Sequence, residues 1–238
     1  MKNCLLNLFL AIVLFVSIVF QLDAQSRISV YAQGGVLVGT PFGEIPEGAT
    51  GRPGVRASTG IEMKWTATKI FSVHLGALFA HKSNEFQTPV TGKYNISDGI
   101  LGIRLPFPIN VKYTGTVQGA ISNKYVDIPI YGGVQVGRRT MLTIGYQYSH
   151  LLDGQFDGTA DVRALALNFP GQEFDESHLL REDDHAAIAG MHYLLFDQLE
   201  MRLRFGFGLN NIFTEIPEGM SSMRNLYLGV MLAYGFPL

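Results

Sequence analysis

The sequence has one cysteine, Cys4, among its 238 residues. The rest of the chain therefore can form no disulfide bond, cysteine zinc site or thiol nucleophile. Charged residues are also scarce, at 16% of the chain, against about 25% in ordinary soluble domains. The formal net charge is −2, so no basic surface suggests a nucleic-acid partner.

No phosphate-binding loop, zinc motif or nucleotide fingerprint occurs in the sequence, so we predict neither a metal site nor a cofactor. What the chain does contain is apolar residues (47%), 27 glycines and 10 prolines. This composition favours many strands and turns over long helices.

The N-terminus has the pattern of a secretory signal peptide. Lys2 is followed by an apolar stretch, Leu5–Phe20, that only Asn7 and Ser17 interrupt. We predict that residues 1–24 are a signal peptide cleaved near Ala24, and that residues 25–238 form one domain. An uncleaved membrane anchor is the alternative.

Apolar and polar residues alternate with period two through most of the remaining chain, which is typical of strands with one apolar face. From Val55 to Trp65, for example, Ile61 and Met63 alternate with Glu62 and Lys64. Eight segments show the pattern: Ile28–Val38, Val55–Trp65, Phe71–Phe79, Val126–Val136, Leu142–Tyr148, Ala186–Phe196, Leu199–Leu209 and Leu226–Phe236.

The connections between these segments alternate in length. Short polar turns lie at 66–69, 138–139 and 197–198, whereas four connections are long, at about 39–54, 82–124, 151–183 and 211–224. Outer-membrane barrels have short periplasmic turns and long external loops. We therefore predict an all-β, eight-stranded antiparallel transmembrane β-barrel, closed by pairing of the first and last segments so that no edge is open.

A further hairpin is suggested within the second long connection, where Ile100–Pro108 precedes Ile109–Tyr113. We interpret it as an extension above the membrane, and a ten-stranded barrel is the alternative. A soluble barrel would need its apolar outer faces covered, and no segment supplies amphipathic helices for that.

The polar faces of the predicted strands carry charged residues that would be costly in a dry sandwich core. Inside a barrel they can pair with one another or with water. The predicted interior polar network is Glu62, Lys64, His74, Asp127, Arg202 and Arg204. An eight-stranded barrel is just wide enough for side chains to fill, which favours a filled interior over the alternative of a small solute pore.

A heptapeptide occurs twice, as FGEIPEG from Phe42 to Gly48 and as FTEIPEG from Phe213 to Gly219. The predicted topology places both copies at the same external rim, with each phenylalanine anchored at the interface. Their acids are Glu44, Glu47, Glu215 and Glu218. These carboxylates would hold a divalent cation against anionic lipid headgroups, or they are the solvated acids of stiff turns; the absence of calcium-loop spacing favours the latter.

A rim enzyme is a further alternative, because His81, Ser83 and Glu85 share the outward side of one strand as it leaves the membrane. This is the residue set of a lipid hydrolase. Polar residues are also ordinary at that position, so we assign no catalytic residue and do not predict an enzyme.

The segment Lys124–Gly133, and within it Tyr125–Pro129 (YVDIP), resembles the start of a strand in the PorT-like outer-membrane β-barrel family. Val73–Lys82 and Leu226–Leu238 are similar to family strands, whereas the insert at about 99–115 departs from the compact pattern. The resemblance implies an outer-membrane location and a barrel fold, and some members belong to a secretion apparatus. It carries over no site residue.

These observations predict a monomeric integral outer-membrane scaffold or interaction protein that acts through its long external loops. Its expected partners are outer-membrane lipid and other envelope or secretion proteins.

Overall fold

The computed structural model describes residues 27–43, 50–96, 109–164, 167–175, 177–215 and 222–237. The predicted signal peptide and the segment 100–108 lie outside these ranges. The strands are β1 (Arg27–Gly43), β2 (Thr50–Arg52), β3 (Gly54–Thr66), β4 (Phe71–Ile96), β5 (Ile109–Gln135), β6 (Thr140–Ala164), β7 (Leu167–Asp175), β8 (Asp183–Phe196), β9 (Leu199–Gly208) and β10 (Met223–Pro237). A 3-10 turn spans Ser177–Leu179. None of the helices in the described ranges is long and apolar enough to cross a membrane.

Eight of the strands close into an antiparallel ring in the order β1–β3–β4–β5–β6–β8–β9–β10. The ring closes where β1 pairs with β10, with Val30 opposite Phe236 and Val38 opposite Leu228. The predicted eight-stranded barrel and its closing pair are therefore confirmed. β2 and β7 pair with the outer parts of β4 and β6 and are not members of the ring.

The outer wall of the ring is apolar and the inner wall is polar, as the alternation predicts. On β3, Val55, Ile61 and Met63 are exposed, whereas Arg56 and Glu62 are buried. Exposed apolar side chains on the other ring strands include Val36, Leu75, Phe79, Ile130, Val134, Leu142, Ile144, Phe205, Leu228, Val230 and Leu232. Such an outward apolar band is what contact with lipid requires.

Three ring strands continue far beyond the apolar band. β4 and β5 stay paired up to Ile96 and Ile109, and β6 continues to Ala164 beside β5 and β7. The connections predicted as loops at 82–124 and 151–183 are thus largely strand, and the prediction of loops there is wrong. The extension above the ring is a hairpin of β4 and β5 in which residues 109–113 pair with 92–96; the predicted partner segment, 100–108, lies outside the described residues. We call β2, β7 and the parts of β4, β5 and β6 beyond Lys82, Lys124 and Leu151 the ribbon sheet. It stands on the side of the long connections, which is the external side in outer-membrane barrels.

Large side chains that point into the barrel lie opposite glycines of the neighbouring strand. The pairs are Tyr31–Gly235, Leu37–Gly229, Tyr131–Gly145 and Tyr227–Gly206, with Phe86–Gly119 higher in the ribbon sheet. A Cβ atom added at Gly206 would lie 2.0 Å from Cζ of Tyr227. Small and large residues therefore alternate across strands to fill a narrow lumen.

This packing makes Gly206→Val strongly unfavourable. Valine would force Tyr227 out of its place, and we expect the free energy of unfolding to fall by about 1–3 kcal/mol or more. Gly137→Val is the matched control, because a Cβ at Gly137 meets no atom within 4 Å. Denaturant midpoints in detergent micelles measure the difference; equal midpoints for the two variants would contradict the packing.

Candidate functional site in the barrel interior and its cap

Glu62 on β3 lies at the centre of a hydrogen-bonded cluster in the half of the barrel next to the short turns. Its Oε1 accepts a hydrogen bond from Arg202 Nη1 at 2.8 Å and lies 2.9 Å from His74 Nδ1. Its Oε2 accepts from the Tyr131 hydroxyl at 2.5 Å and from Gln33 Nε2 at 3.2 Å. All five side chains are buried, so a single carboxylate joins four strands of the ring beyond its own.

Arg202 links Glu62 to a second acid, Glu200. Nε and Nη2 of Arg202 both donate to Glu200 Oε2, at 3.0 and 2.8 Å. Lys64 Nζ lies 3.8 Å from Glu200, and Arg204 Nη2 lies 3.7 Å from Glu62. Each buried charge therefore has an opposite partner, which offsets the cost of removing it from water. We call Gln33, Glu62, Lys64, His74, Tyr131, Glu200, Arg202 and Arg204 the lower network.

Ser72, His74 and Glu62 are connected in the order seen in serine hydrolases, with Ser72 Oγ 2.9 Å from His74 Nε2. Ser72 is 3% exposed, and its hydroxyl also contacts the sulfur of Met141 at 3.2 Å. The imidazole stacks on Tyr131 with ring centres 4.6 Å apart. Because Ser72 is buried and not accessible to a substrate, we interpret the hydrogen bonds among Ser72, His74 and Glu62 as pairing of buried polar atoms.

Lys82 on β4 is the centre of a second cluster, nearer the external end. Its Nζ lies 3.3 Å from Asp127 Oδ1, 3.9 Å from Asp184 Oδ2 and 4.3 Å from the centre of the Tyr125 ring. Asn225 Nδ2 donates to Asp184 at 2.7 Å. We call Arg56, Lys82, Tyr125, Asp127, Asp184 and Asn225 the upper network. Leu37, Ala186, Ile188 and Tyr227 pack with Tyr131 as an apolar cluster inside the ring.

Among the described residues Arg56 forms an ion pair with no acid, unlike the buried cations Lys82, Arg202 and Arg204. It is 1% exposed, and its Nη2 donates to Asn84 Oδ1 at 3.2 Å and to Asn225 Oδ1 at 3.5 Å. Its Nε and Nη1 have no hydrogen-bond partner among the described residues. Gly39 lies against the guanidinium group, because a Cβ there would be 2.7 Å from Arg56 Cζ. The upper network is therefore less completely paired than the lower one.

The structure brings together most of the predicted interior network. Glu62, His74, Arg202 and Arg204 meet in the lower network, and Lys64 joins them through Glu200. Asp127 belongs instead to the upper network. Residues that the sequence reasoning missed are Gln33, Arg56, Lys82, Tyr131, Asp184 and Glu200. Arg56 and Glu200 share the polar face of their strands with predicted residues, so the alternation could have found them.

An apolar cluster covers the external end of the interior, and we call it the cap. It contains Phe86, Ile121, Phe156, Leu180, Ile212, Phe213 and Met223. The Phe156 ring lies 5.6 Å from Phe86 and 5.3 Å from Phe213, measured between centres. Backbone hydrogen bonds from Arg181 N to Ile212 O, at 2.8 Å, and from Thr214 N to Leu179 O, at 2.8 Å, hold two connections together over the ribbon sheet.

The two copies of the repeated heptapeptide do not place their phenylalanines alike. Phe213 is fully buried in the cap, so its predicted position at the lipid interface is wrong. Phe42 is half-buried on the outer wall, 4.6 Å from Phe207 between ring centres. Of the predicted acidic cluster, Glu215 is exposed. The other three acids, Glu44, Glu47 and Glu218, lie outside the described residues, and the cation site stays a prediction.

The predicted hydrolase residues on β4 have separate partners. His81 Nε2 lies 2.9 Å from Ser122 Oγ on β5, and Glu85 lies 3.8 Å from Arg52 on β2. Ser83 is not in either contact. The described part of the chain contains no group of three or more His, Asp or Glu residues arranged to hold a metal ion.

Asp183, the first residue of β8, is the centre of a polar contact on the outer rim. The Tyr148 hydroxyl donates to its Oδ1 at 2.5 Å, and His150 Nδ1 lies 3.3 Å from the same oxygen. These hydrogen bonds hold the pKa of the Asp183 carboxyl below its usual value. Nearby, Lys124 Nζ donates to Asp153 at 2.7 Å. Paired polar groups thus replace apolar ones where the strands leave the apolar band.

Comparison with models of protein families matches residues 21–214 to a family described as outer membrane protein beta-barrel domain. Similar solved structures include Ail, the attachment invasion locus protein of Yersinia pestis, with 8% identity, 89% of this chain and 100% of that chain covered, and a TM-score of 0.39. Outer Membrane Protein W of E. coli has 12% identity, 90% and 100% coverage and a TM-score of 0.38. Neisserial surface protein A has 9% identity, 87% and 97% coverage and a TM-score of 0.37. A comparison with curated proteins gave no match. The strands close into an antiparallel ring with an apolar outer wall, and the family match spans most of the chain. The chain therefore belongs to the outer-membrane β-barrel domain family and is a transmembrane protein of the outer membrane.

Proposed function

We propose that the protein is a non-conducting membrane scaffold that presents its ribbon sheet at the cell surface as a recognition element. The observation that carries this proposal is the contrast between a filled interior and a long external sheet. Below, Arg202, Glu62 and His74 are buried in a paired network; above, Phe213 and Phe156 are buried in the cap. A solute would have to displace both layers to pass.

The ribbon sheet is much larger than a connection between two strands requires. β4 continues for 14 residues after Lys82, to Ile96. At about 3.3 Å per residue it extends roughly 45 Å from that point. Two residues suffice to join antiparallel strands, so this length supports a surface used for binding.

The free edges of the ribbon sheet disfavour partners that add a strand. β2 covers only Glu85–Gln87 of β4, and within the described residues the edge from Thr88 to Ile96 has no neighbour on that side. Pro89 and Lys93 lie on this edge. β7 carries Pro170 and Gly171, the latter with a φ of 63°. Proline and lysine at edges oppose strand addition, so we infer that partners bind the face of the sheet.

The resemblance of Tyr125–Pro129 to PorT-like proteins supports a partner among envelope or secretion proteins. Tyr125 and Asp127 of this motif both contact Lys82 inside the barrel. The motif therefore stabilises the barrel interior, and the external ribbon sheet determines which partner binds. The pore alternative is disfavoured by the filled interior, and the rim-enzyme alternative by the separate partners of His81 and Glu85.

Planar-bilayer recording tests the proposal. We expect no conductance steps from the purified chain. In a second arm, residues 89–116 are replaced by Asn-Gly, which joins the paired residues Thr88 and Val117 by a two-residue turn. This variant is expected to fold, with the same shift in gel mobility between unboiled and boiled samples, and to remain silent. Conductance of the unmodified chain, or failure of the shortened chain to fold, would contradict the proposal.

A further inference from the structure

A groove of about 490 Å³ lies on the outward face of the ribbon sheet. Cross-strand pairing arranges its side chains in two rows of four, one from each of β2, β4, β5 and β6. The rows are Thr50, Gln87, Gln118, Thr159 and Arg52, Glu85, Ala120, Asp157. The volume is within the range of about 300–1,000 Å³ that small-molecule sites occupy.

The floor of the groove is made by small residues. Ala120 is the only one of the eight side chains without a polar atom, and the backbone of Gly119 and Gly158 adjoins it. Phe86 also lines the groove, but its side chain is buried on the opposite face with the cap. An acyl chain or an apolar peptide would therefore bury little apolar surface here.

The walls of the groove offer donors and acceptors in a flat array. Arg52 lies 3.8 Å from Glu85, and both side chains are largely exposed at 87% and 67%. Gln87 and Gln118 are directly paired across β4 and β5, and each amide both donates and accepts. One cation faces two acids, since Asp157 pairs in register with Ala120. Closely spaced hydroxyl groups fit such an array, whereas a polyanion would be repelled.

The height of the groove on the ribbon sheet matches that of saccharides attached to outer-leaflet lipids. The outward apolar side chains of β4 end at Phe79, and Glu85 comes six residues later. With a rise of about 3.3 Å per residue and a strand tilt of roughly 40°, Glu85 lies about 15 Å above Phe79. The polar headgroup layer of a leaflet is about 5–8 Å thick. The groove thus sits just beyond the headgroups, at the level of saccharides attached to outer-leaflet lipids.

We propose that this groove binds the uncharged or amino-bearing saccharide portion of an outer-leaflet glycolipid in the protein's own membrane. The inference rests on the proposed function, because it makes the ribbon sheet the recognition element and names its ligand class. The two glutamines and Asp157 bind sugar hydroxyls, and Ala120 leaves room for the ring.

Calorimetric titration of the purified barrel in nanodiscs of phosphatidylcholine tests the inference. The probe is the neutral and amino-sugar fraction of the lipid-free oligosaccharide released from the cell's own glycolipid by mild acid. Ala120→Leu fills the floor and keeps every polar group, and we expect it to weaken binding roughly tenfold or more. Asp157→Asn should also weaken it. Gln155→Ala, on the same strand and face but outside the groove, is the matched control and should stay within about twofold of the unmodified chain.

Nanodiscs that carry the intact glycolipid separate the membrane-bound ligand from a free sugar. There we expect the groove to be occupied already, so the free oligosaccharide should no longer bind. Undiminished binding in those nanodiscs would overturn the membrane source. Absence of binding at about 10 mM oligosaccharide, or equal affinity of Ala120→Leu and the unmodified chain, would overturn the inference. If the barrel conducts no ions in the planar bilayer, the proposed function still holds in that case. Conductance would overturn the proposed function whatever the sugar does.

Discussion

Glu62→Ala is expected to lower the free energy of unfolding by about 3–5 kcal/mol, the usual effect of removing one partner from a buried ion pair. Arg202 and Arg204 are both buried, and Glu62 is an acidic partner of each. Glu200 would still neutralise Arg202, but Arg204 would keep no carboxylate among its described contacts. The Tyr131 hydroxyl and His74 Nδ1 would lose their acceptor as well.

Guanidinium titrations in detergent micelles, followed by gel mobility of unboiled samples, measure this effect. Glu173→Ala is the control, because Glu173 is exposed on β7, and its midpoint should match that of the unmodified chain. Glu62→Gln retains two polar atoms and should lie between the two. A Glu62→Ala midpoint equal to that of Glu173→Ala would mean that the lower network does not hold the ring together.

Phe213→Ala is expected to open the cap without unfolding the barrel. The side chain is fully buried against Phe156, and removing a buried phenylalanine commonly costs about 3–5 kcal/mol. Because the cap is held by loop residues outside the ring, we expect this loss to appear as local opening. The open fraction of residues 177–182 and 209–214, the two connections that carry Leu180 and Phe213, should rise at least about a hundredfold.

Proteolysis of the folded protein in micelles measures this opening. Cleavage near Leu180 and Ile212 should accelerate in Phe213→Ala, while the shift in gel mobility on boiling persists. Phe196→Ala is the control, since Phe196 is 72% exposed at the opposite end of the barrel. If Phe213→Ala instead abolishes the mobility shift, the cap is part of the barrel's cooperative unit and our description of it is wrong.

The ring could be predicted from the sequence because lipid imposes a strong contrast between the two faces of each strand. Beyond the lipid-facing part of a strand this contrast is absent, and the strand could no longer be predicted. β4 continues past Lys82 with Ser83, Glu85 and Gln87 on its outward side, so no apolar alternation marks it as a strand. The ribbon sheet therefore looked like long loops.

The height of a side chain along the barrel axis also could not be predicted from the sequence. Period two assigns Asp127 and Glu62 to the same inner wall but does not give their heights, which depend on register. Pairing places Asp127 opposite Leu78, four residues above His74. The Lys82 side chain reaches Asp127 from four residues further along β4, with Nζ 3.3 Å from Oδ1. For the same reason the burial of Phe213 was missed: the local sequence does not show that residues 211–214 turn inward to meet Leu180.

The central claim is that the filled barrel presents the ribbon sheet outside the cell, and cysteine labelling tests it most directly. With Cys4 as the chain's one cysteine, Glu173→Cys, at an exposed position of β7 outside the groove, and Arg138→Cys can be made in a Cys4→Ser background. A membrane-impermeant maleimide should label Glu173→Cys in intact cells and Arg138→Cys only after the outer membrane is opened. Labelling of Arg138→Cys but not Glu173→Cys in intact cells would place the ribbon sheet on the periplasmic side and contradict the account.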